Sequence, residues 1–257
     1  MTEQVLRPQG TSPEGAIDEQ DASRKVREMF TRIAPRYDLL NHLLSAQMDR
    51  RWRARTAREL QTTLQRADAM VLDLCCGTGD LAFCLTRGAK ARILGADFSH
   101  TMLVRAKEKG QFLSGKDWRI PFLEADALRL PFADGSFDLV TTAFGFRNLA
   151  NYQAGLQEIL RVLRVGGTVG ILEFTEPAPG LMGSAYRFYT ERVLPKIGGV
   201  ISGDPGAYAY LPKSVARFFR PEELAGVMKE VGYTEVRYQL MTLGTVALHV
   251  GLKSVGK

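Results

Sequence analysis

From residue 70 onward, short apolar runs alternate with amphipathic stretches. MVLDLC (70–75), ARILGADFS (91–99), WRIPFLEAD (118–126), FDLVTTAFG (137–145) and GTVGILEF (167–174) are apolar along most of their length, the pattern of strands covered on both faces. Between them, LAFCLTR (81–87), TMLVRAKEK (101–109) and YQAGLQEILRVL (152–163) space their apolar residues at helical intervals. This alternation predicts an α/β fold: a doubly wound, mostly parallel sheet with helices on both faces and right-handed crossovers. The end of the chain changes pattern. PEELAGVMKEVG (221–232) reads as a helix with Pro221 in its first turn, followed by strands YTEVRYQLM (233–241) and TVALHVGLK (245–253). The connection between those strands is too short for a crossover, so a C-terminal antiparallel hairpin is expected.

Ahead of the sheet, two or three helices over 23–34, 36–46 and 50–65 form an N-terminal helical cap spanning 23–66. Residues 1–22, with their Gly, Pro, Ser and acids, read as a disordered tail. The main domain then covers 67–253. Residues 175–220 break its rhythm with an aromatic, Pro/Gly-rich insertion long enough to form a substrate lid.

Composition narrows the class. The 257 residues are 45% hydrophobic and 24% charged, ordinary for a globular protein large enough to bury a full core. No apolar run approaches 18 residues and the N-terminus lacks a signal-peptide pattern, so a cytoplasmic protein is expected. Three cysteines without a CxxC pair read as buried free thiols, and no histidine cluster suggests a metal. Much of the net charge of +6 lies in SRKVREMFTRIAPRYD and DRRWRARTARELQTTLQR, two helices with an arginine face. Such a face is either solvated or drawn to anionic lipid headgroups, with Arg50, Arg51, Arg53 and Arg55 as the candidate contacts. No aromatic-and-glycine RNA module accompanies it, which argues against nucleic acid.

The chemistry concentrates around LDLCCGTGD (72–80). Gly77, Gly79 and Ala82 fit a dinucleotide-type glycine turn, and Asp97 follows Gly79 by 18 residues. The charges favour a different ligand. A pyrophosphate wants a bare helix N-terminus, whereas Asp80 stands in that first turn. Asp73, Asp97 and Asp126 end successive strands, where open α/β sheets bind ligands. Four carboxylates converging on one edge suit a ligand with an ammonium, a sulfonium and ribose hydroxyls but no phosphate: S-adenosylmethionine. In that arrangement Gly77, Thr78 and Gly79 let the backbone approach, and Asp73 sits near the amino group. Asp97 accepts from the ribose hydroxyls, and Asp126 with the Ala127 N–H reads the adenine, with Phe98 or Leu128 packed on its face.

The stretches LDLCCGTGD, GADFS, ADALRLPFADGSFDLV and LRVGG resemble the ordered motifs of class I S-adenosylmethionine-dependent methyltransferases. YDLLNHLLSAQMDRRW (37–52) and RVLRVGGTVGILEFT (161–175) narrow the likeness. With FGFRNL (144–149) and VALHVGLK (246–253), they resemble the ubiquinone/menaquinone biosynthesis C-methyltransferase family. Asp49, Arg164 and Thr175 depart from its signatures, Cys75 replaces the first glycine of the generic turn, and Ala143 sits where some members carry serine. The resemblance implies ring-carbon methylation of a reduced polyprenyl quinone precursor, either demethylmenaquinol or the methoxy-polyprenyl-benzoquinol of the ubiquinone pathway, or both. The CCGTGD turn leans toward the menaquinone members.

Arg147, after the strand FDLVTTAFG, is the candidate to stabilise the developing phenolate, directly or through a water. Tyr37 and Asn41, with Asp38, are placed to cover the site, and Tyr208 and Tyr210 to line a quinone pocket. His249 reads as structural, and His42 and His100 as surface or helix-start residues. The expected partners are the polyprenyl quinol and an anionic membrane surface. The sequence does not set the oligomeric state, for which a homodimer is one candidate. Rival readings are another methyltransferase on the same fold, a dinucleotide oxidoreductase, and a non-enzymatic scaffold of a quinone-biosynthesis complex.

Overall fold

The computed structural model describes residues 9–112, 120–177 and 205–254, with four single positions (180, 183, 188 and 192) between the last two stretches. Its strands are β1 (Met70–Leu74), β2 (Arg92–Asp97), β3 (Phe122–Glu124), β4 (Phe137–Ala143), β5 (Leu163–Phe174), β6 (Tyr233–Met241) and β7 (Val246–Lys253). They form one sheet in the order β3-β2-β1-β4-β5-β7-β6. Strands β1 to β5 are parallel, and β7 runs antiparallel between β5 and β6. The α-helices whose bounds lie among the described residues are α1 (Glu19–Ile33), α2 (Tyr37–Leu44), α3 (Met48–Glu59), α4 (Gln61–Leu64), α5 (Asp80–Leu85), α6 (His100–Phe112), α7 (Tyr152–Val162), α8 (Pro205–Arg217) and α9 (Pro221–Val231).

Neighbouring residues of each central strand point to opposite faces. Val71, Leu139 and Leu172 join a core with Trp52, Leu60, Leu64, Leu81 and Leu85 from the α3–α5 side. Leu72, Val140 and Ile171 join another with Leu156, Ile159, Leu224 and Met228 from α7 and α9. The continuous apolar runs are therefore the expected consequence of a sheet covered on both faces. Strand order reverses between β1 and β4, so the loops after these strands open a crevice at their carboxyl ends. That crevice positions the site.

Several sequence expectations change. Residues 9–17 are anchored rather than a tail: the Thr11 N–H donates to the Leu149 carbonyl (2.8 Å) and the Tyr152 N–H to the Gln9 carbonyl (2.8 Å). Helix α1 starts at Glu19 because Asp18 caps it, accepting from the Asp21 N–H. Residues 1–8 lie outside the described residues. The third cap helix is two, α3 and α4, and left-handed residues Ala46 and Gln47 turn the chain into the first of them. Strand β3 covers only Phe122–Glu124, since Pro121 has no N–H for the ladder, although its carbonyl accepts from Gly95. Of the insertion, 205–217 form helix α8, and most of 178–204 lies outside the described residues. Among the described residues no helix is long and apolar enough to cross a membrane.

Candidate functional site

The crevice holds a cavity of about 630 Å³, counted to its open mouth. Its walls come from the glycine turn (Cys75, Gly77), the end of β2 (Asp97, Phe98), the loop after β3 (Ala125–Leu128), the loop after β4 (Ala143–Gly145, Asn148) and the cap (Ser23, Phe30, Tyr37). Among the described residues, two carboxylates line it and no Lys, Arg or His side chain does. That lining suits a cationic, hydroxyl-bearing ligand and disfavours a phosphate.

The turn is built from left-handed backbone: Cys75 (φ 53°), Gly77 (φ 55°) and Gly79 (φ 83°). Glycine adopts this conformation freely, but Cys75 does so under strain. Its side chain fits because residue 145 is glycine; a Cβ at Gly145 would lie 2.4 Å from the Cys75 Cβ. The two crevice loops thus interlock across β1 and β4. Burial and four nearby acids, Asp97 first among them, push the Cys75 thiol well up, which leaves it unreactive. Gly77 leaves room on its other side for Tyr37, whose ring would be 3.8 Å from a Cβ there.

Asp97 is 6% exposed and accepts the Gly77 N–H (2.8 Å) and the Ser99 N–H (2.9 Å). Burial raises its carboxyl to about 6, against the opposing pull of those amides. Phe98 lies beside it, under the Arg27 guanidinium at 5.3 Å. Asp126 is exposed at the cavity edge and caps the Leu128 N–H (2.9 Å), with Ala127 buried next to it. The structure therefore gathers Gly77, Asp97, Phe98, Asp126, Ala127 and Tyr37 around one space.

Other predicted residues sit elsewhere. Asp73 lies beneath the turn, fully buried; one oxygen accepts from Thr141 (3.0 Å) and the other has no hydrogen-bond partner. Burial raises its carboxyl to about 7. Thr78 and Gly79 do not line the cavity. The Thr78 hydroxyl donates to Asp38 of the cap and accepts from Lys109 (3.1 Å). Gly79 packs against aromatics, where a Cβ would meet the Phe83 ring at 2.9 Å. The four carboxylates do not all converge, because Asp80 turns toward the cap, 2.7 Å from Lys109 and 3.3 Å from Arg53.

Arg53 is buried rather than lipid-facing; it bridges Asp49 and Asp80. His42 joins them, 2.7 Å from Asp49, so it is not a plain surface residue. His42, Asp49 and Asp80 are the kind of cluster that could hold a metal ion, a grouping made by the fold and not by any ligand spacing in the sequence. The Arg53 guanidinium already counters both carboxylates. His249 is buried in β7, bonded to the Pro221 carbonyl (2.8 Å).

Arg147 follows β4 in a short 3-10 turn, Phe146–Asn148, and is 5% exposed. Its ion-pair partner is Glu173 of β5 (2.8 Å). Burial raises the Tyr37 phenol, while a hydrogen bond from Asn41 and the nearby Arg147 and Arg53 charges oppose it. Tyr210 donates to Asn148 (3.0 Å) and shares a 2.6 Å hydrogen bond with Thr11, so α8 reaches the cavity wall through Asn148. The Tyr208 side chain lies outside the described residues. Glu173 and Asn148 carried no role in the sequence reading. An acid inside the apolar run GILEF was the available signal for the first, and its place in FGFRNL for the second.

The family model of the ubiE/COQ5 methyltransferase family matches residues 18–253. The demethylmenaquinone methyltransferase of Thermus thermophilus is 51% identical over 224 residues, 87% of this chain and 99% of that protein. Its namesake from Deinococcus radiodurans is 48% identical over 92% of this chain and 95% of its own. The ubiquinone/menaquinone biosynthesis C-methyltransferase UbiE of Syntrophotalea carbinolica is 43% identical over 89% and 94%. Among solved structures, the [4+2]-cyclase SpnF superposes with a TM-score of 0.67 at 17% identity, covering 97% of this chain and 100% of that one. Phosphoethanolamine N-methyltransferase 2 of Haemonchus contortus, in complex with S-adenosyl-L-methionine, superposes with a TM-score of 0.54 at 15% identity, covering 77% and 53%. These structural likenesses concern the fold. A match along nearly the whole sequence, on a sheet whose crevice is lined by acids and backbone, leads to one conclusion: the chain belongs to the ubiE/COQ5 methyltransferase family.

Proposed function

We propose that the protein transfers a methyl group from S-adenosylmethionine to a ring carbon of demethylmenaquinol, forming menaquinol. The observation that carries the reading is the 51% identity, along nearly the full length, to a protein named demethylmenaquinone methyltransferase. The cavity supports it: its described lining carries two acids, Asp97 and Asp126, beside the apolar rings of Phe30, Phe98 and Phe144.

When bound, S-adenosylmethionine supplies a methyl group activated by its sulfonium. The Asp97 carboxylate is the acceptor for paired hydroxyls, and its hold on the Gly77 N–H keeps the turn in shape. Asp126 and Ala127 form the polar end for a base, with Phe98 and Leu128 as its apolar neighbours. Asp73 lies beneath the turn with one oxygen lacking a partner, and an ammonium near it would favour the ionised form that burial, raising its carboxyl to about 7, disfavours. Tyr37 and Phe30, in edge contact with ring centres 6.0 Å apart, cover the cap side of the cavity. The quinol carbon becomes nucleophilic as its hydroxyl gives its proton to water; after the transfer that carbon loses its own hydrogen as a proton to water, which restores the aromatic ring, and the methyl donor would leave as the uncharged thioether. Arg147 stabilises the resulting phenolate, a kind of contribution typically worth ~10²–10³ in rate. Tyr210 and Asn148 hold the adjoining wall.

The polyprenyl tail makes contact with an anionic membrane part of this proposal. Leu39 and Leu43 stand one helical turn apart on α2, 61% and 52% exposed, and Arg50 and Arg51 lie exposed on α3.

The test incubates the protein with S-adenosylmethionine and reduced short-chain demethylmenaquinol, with the benzoquinol precursor in parallel, and follows products by mass spectrometry. Methylation of the naphthoquinol is expected. Methylation of the benzoquinol alone would overturn the assignment, and methylation of both would make the enzyme dual. Neither product, with cofactor bound, would leave the family and return the substrate to the rival readings.

A further inference from the structure

Arg147 is held in an unusual way. Its Nη1 donates to Glu173 Oε1 (2.8 Å) and to the Phe144 carbonyl, and its Nε donates to Ser214 (3.3 Å). Its own backbone N–H donates to Glu173 Oε2 (3.2 Å). Glu173 therefore grips both the guanidinium and the backbone of the same residue, and Oε1 also accepts the Phe174 N–H (2.8 Å). The Phe174 ring lies 5.4 Å from the guanidinium carbon. Nη2, which carries two of the five donors, makes no hydrogen bond to a described residue, and it is not among the buried polar atoms closed off from solvent.

A purely structural ion pair this deep is a poor investment, since removing two charges from water costs several kcal/mol per ion and good geometry must offset it. Here the side chains are 6% and 1% exposed, yet one edge of the guanidinium remains unspent. Arg147 itself is not part of the cavity lining, but Phe144, Gly145 and Asn148 beside it in sequence are, and the Tyr37 phenol on the cavity wall feels its charge. We propose that Glu173 is a positioning residue for methyl transfer: it fixes Arg147 through Nη1 and the main chain so that the free Nη2 edge meets the ionised quinol oxygen. Glu173 touches no substrate and acts only through Arg147. Ser214, on α8, is the third anchor and ties the insertion to the same guanidinium.

The inference rests on the quinol-methylation reading, and one set of assays separates the two. Wild type, Glu173→Gln, Glu173→Asp, Arg147→Ala and the Arg147→Ala/Glu173→Gln double variant are compared by single-turnover methylation, quinol titration, cofactor calorimetry and thermal melting. Glu173→Asp keeps the charge and shortens the arm, so it moves the guanidinium without leaving a buried arginine unpaired. It stays testable if Glu173→Gln fails to fold. A misplacement near 1 Å can cost ~10²-fold, so both Glu173 variants are expected to lose at least about tenfold in kcat, with KM and cofactor affinity within about threefold. In the Arg147→Ala background, Glu173→Gln is expected to add no further loss, because the group it positions is gone. Unchanged kcat in Glu173→Asp would overturn the inference, as would an equal loss from Glu173→Gln with and without Arg147. Wild type inactive on both quinols would remove the quinol reading and this inference with it; wild type active alongside an equally active Glu173→Gln would remove only this one.

Discussion

The contact between Gly145 and Cys75 gives a prediction whose size follows from geometry. A Cβ at residue 145 would lie 2.4 Å from the Cys75 Cβ, 3.2 Å from the Cys75 carbonyl oxygen and 3.4 Å from the Thr142 hydroxyl. Carbon atoms sit comfortably ~3.5–4.0 Å apart, so Gly145→Ala forces the two crevice loops apart by about 1 Å. Overpacking of that kind costs about 1–3 kcal/mol, and widening the turn should weaken cofactor binding as well. Cys75→Gly removes the facing Cβ and relieves a left-handed residue, a strain of about 1–2 kcal/mol. The extra freedom of glycine in the unfolded chain offsets roughly 0.5–1 kcal/mol of that gain. Cys75→Gly alone should therefore range from neutral to about 1.5 kcal/mol stabilising. The double variant should recover most of the loss of Gly145→Ala, leaving only the 3.2 and 3.4 Å contacts to relax. Urea unfolding and cofactor calorimetry on the four proteins measure the coupling. Effects that add within about 0.5 kcal/mol would refute the interlock, because residues in direct contact should not behave independently.

Asp97, raised to about 6 by burial, should make cofactor binding pH-dependent. Hydroxyl donors favour its ionised form, so affinity should be level above pH 7 and fall by up to about tenfold per pH unit as pH drops through 6; calorimetry should find that step missing in Asp97→Asn. The raised value also means that the cofactor-free fold loses stability as pH rises through 6, and Asp97→Asn should flatten that slope in urea titrations. Lys109 joins Asp38 (2.6 Å) and Asp80 (2.7 Å) across the cap and the turn. Lys109→Met should cost about 1 kcal/mol after solvent screening and speed amide exchange in α2; unchanged exchange over 37–44 would contradict a cap held by this bridge. Replacing Arg50 and Arg51 with Gln should reduce binding to anionic vesicles about thirtyfold in sedimentation, from ~1 kcal/mol per cation. Unchanged binding would remove these arginines from the membrane contact. Arg53 is left intact because it is buried between Asp49 and Asp80.

The sheet was legible from the chain because the rule behind it is local: a strand covered on both faces must be apolar throughout, and a covering helix must repeat its apolar residues every three or four positions. The glycine turn, the acids after β2 and β3 and the antiparallel ending could be read for the same reason, since each depends on neighbours in sequence. Tertiary structure decided where the charges point. Asp80 looked like a site acid at the head of α5, but Arg53 and Lys109, 27 and 29 residues away, draw it to the cap. Residues 9–17 looked like a tail by composition, yet the carbonyl of Leu149 and the amide of Tyr152 give their backbone partners. Arg147 was visible as a charge after a strand, but not its partner. Glu173 is 26 residues on and reaches it only because β4 and β5 are adjacent in the sheet. Burial in a low-dielectric interior makes a charge depend on whichever opposite charge the fold brings near, and that choice is long-range. Backbone conformation and apolar periodicity are local, so the sequence alone determined them.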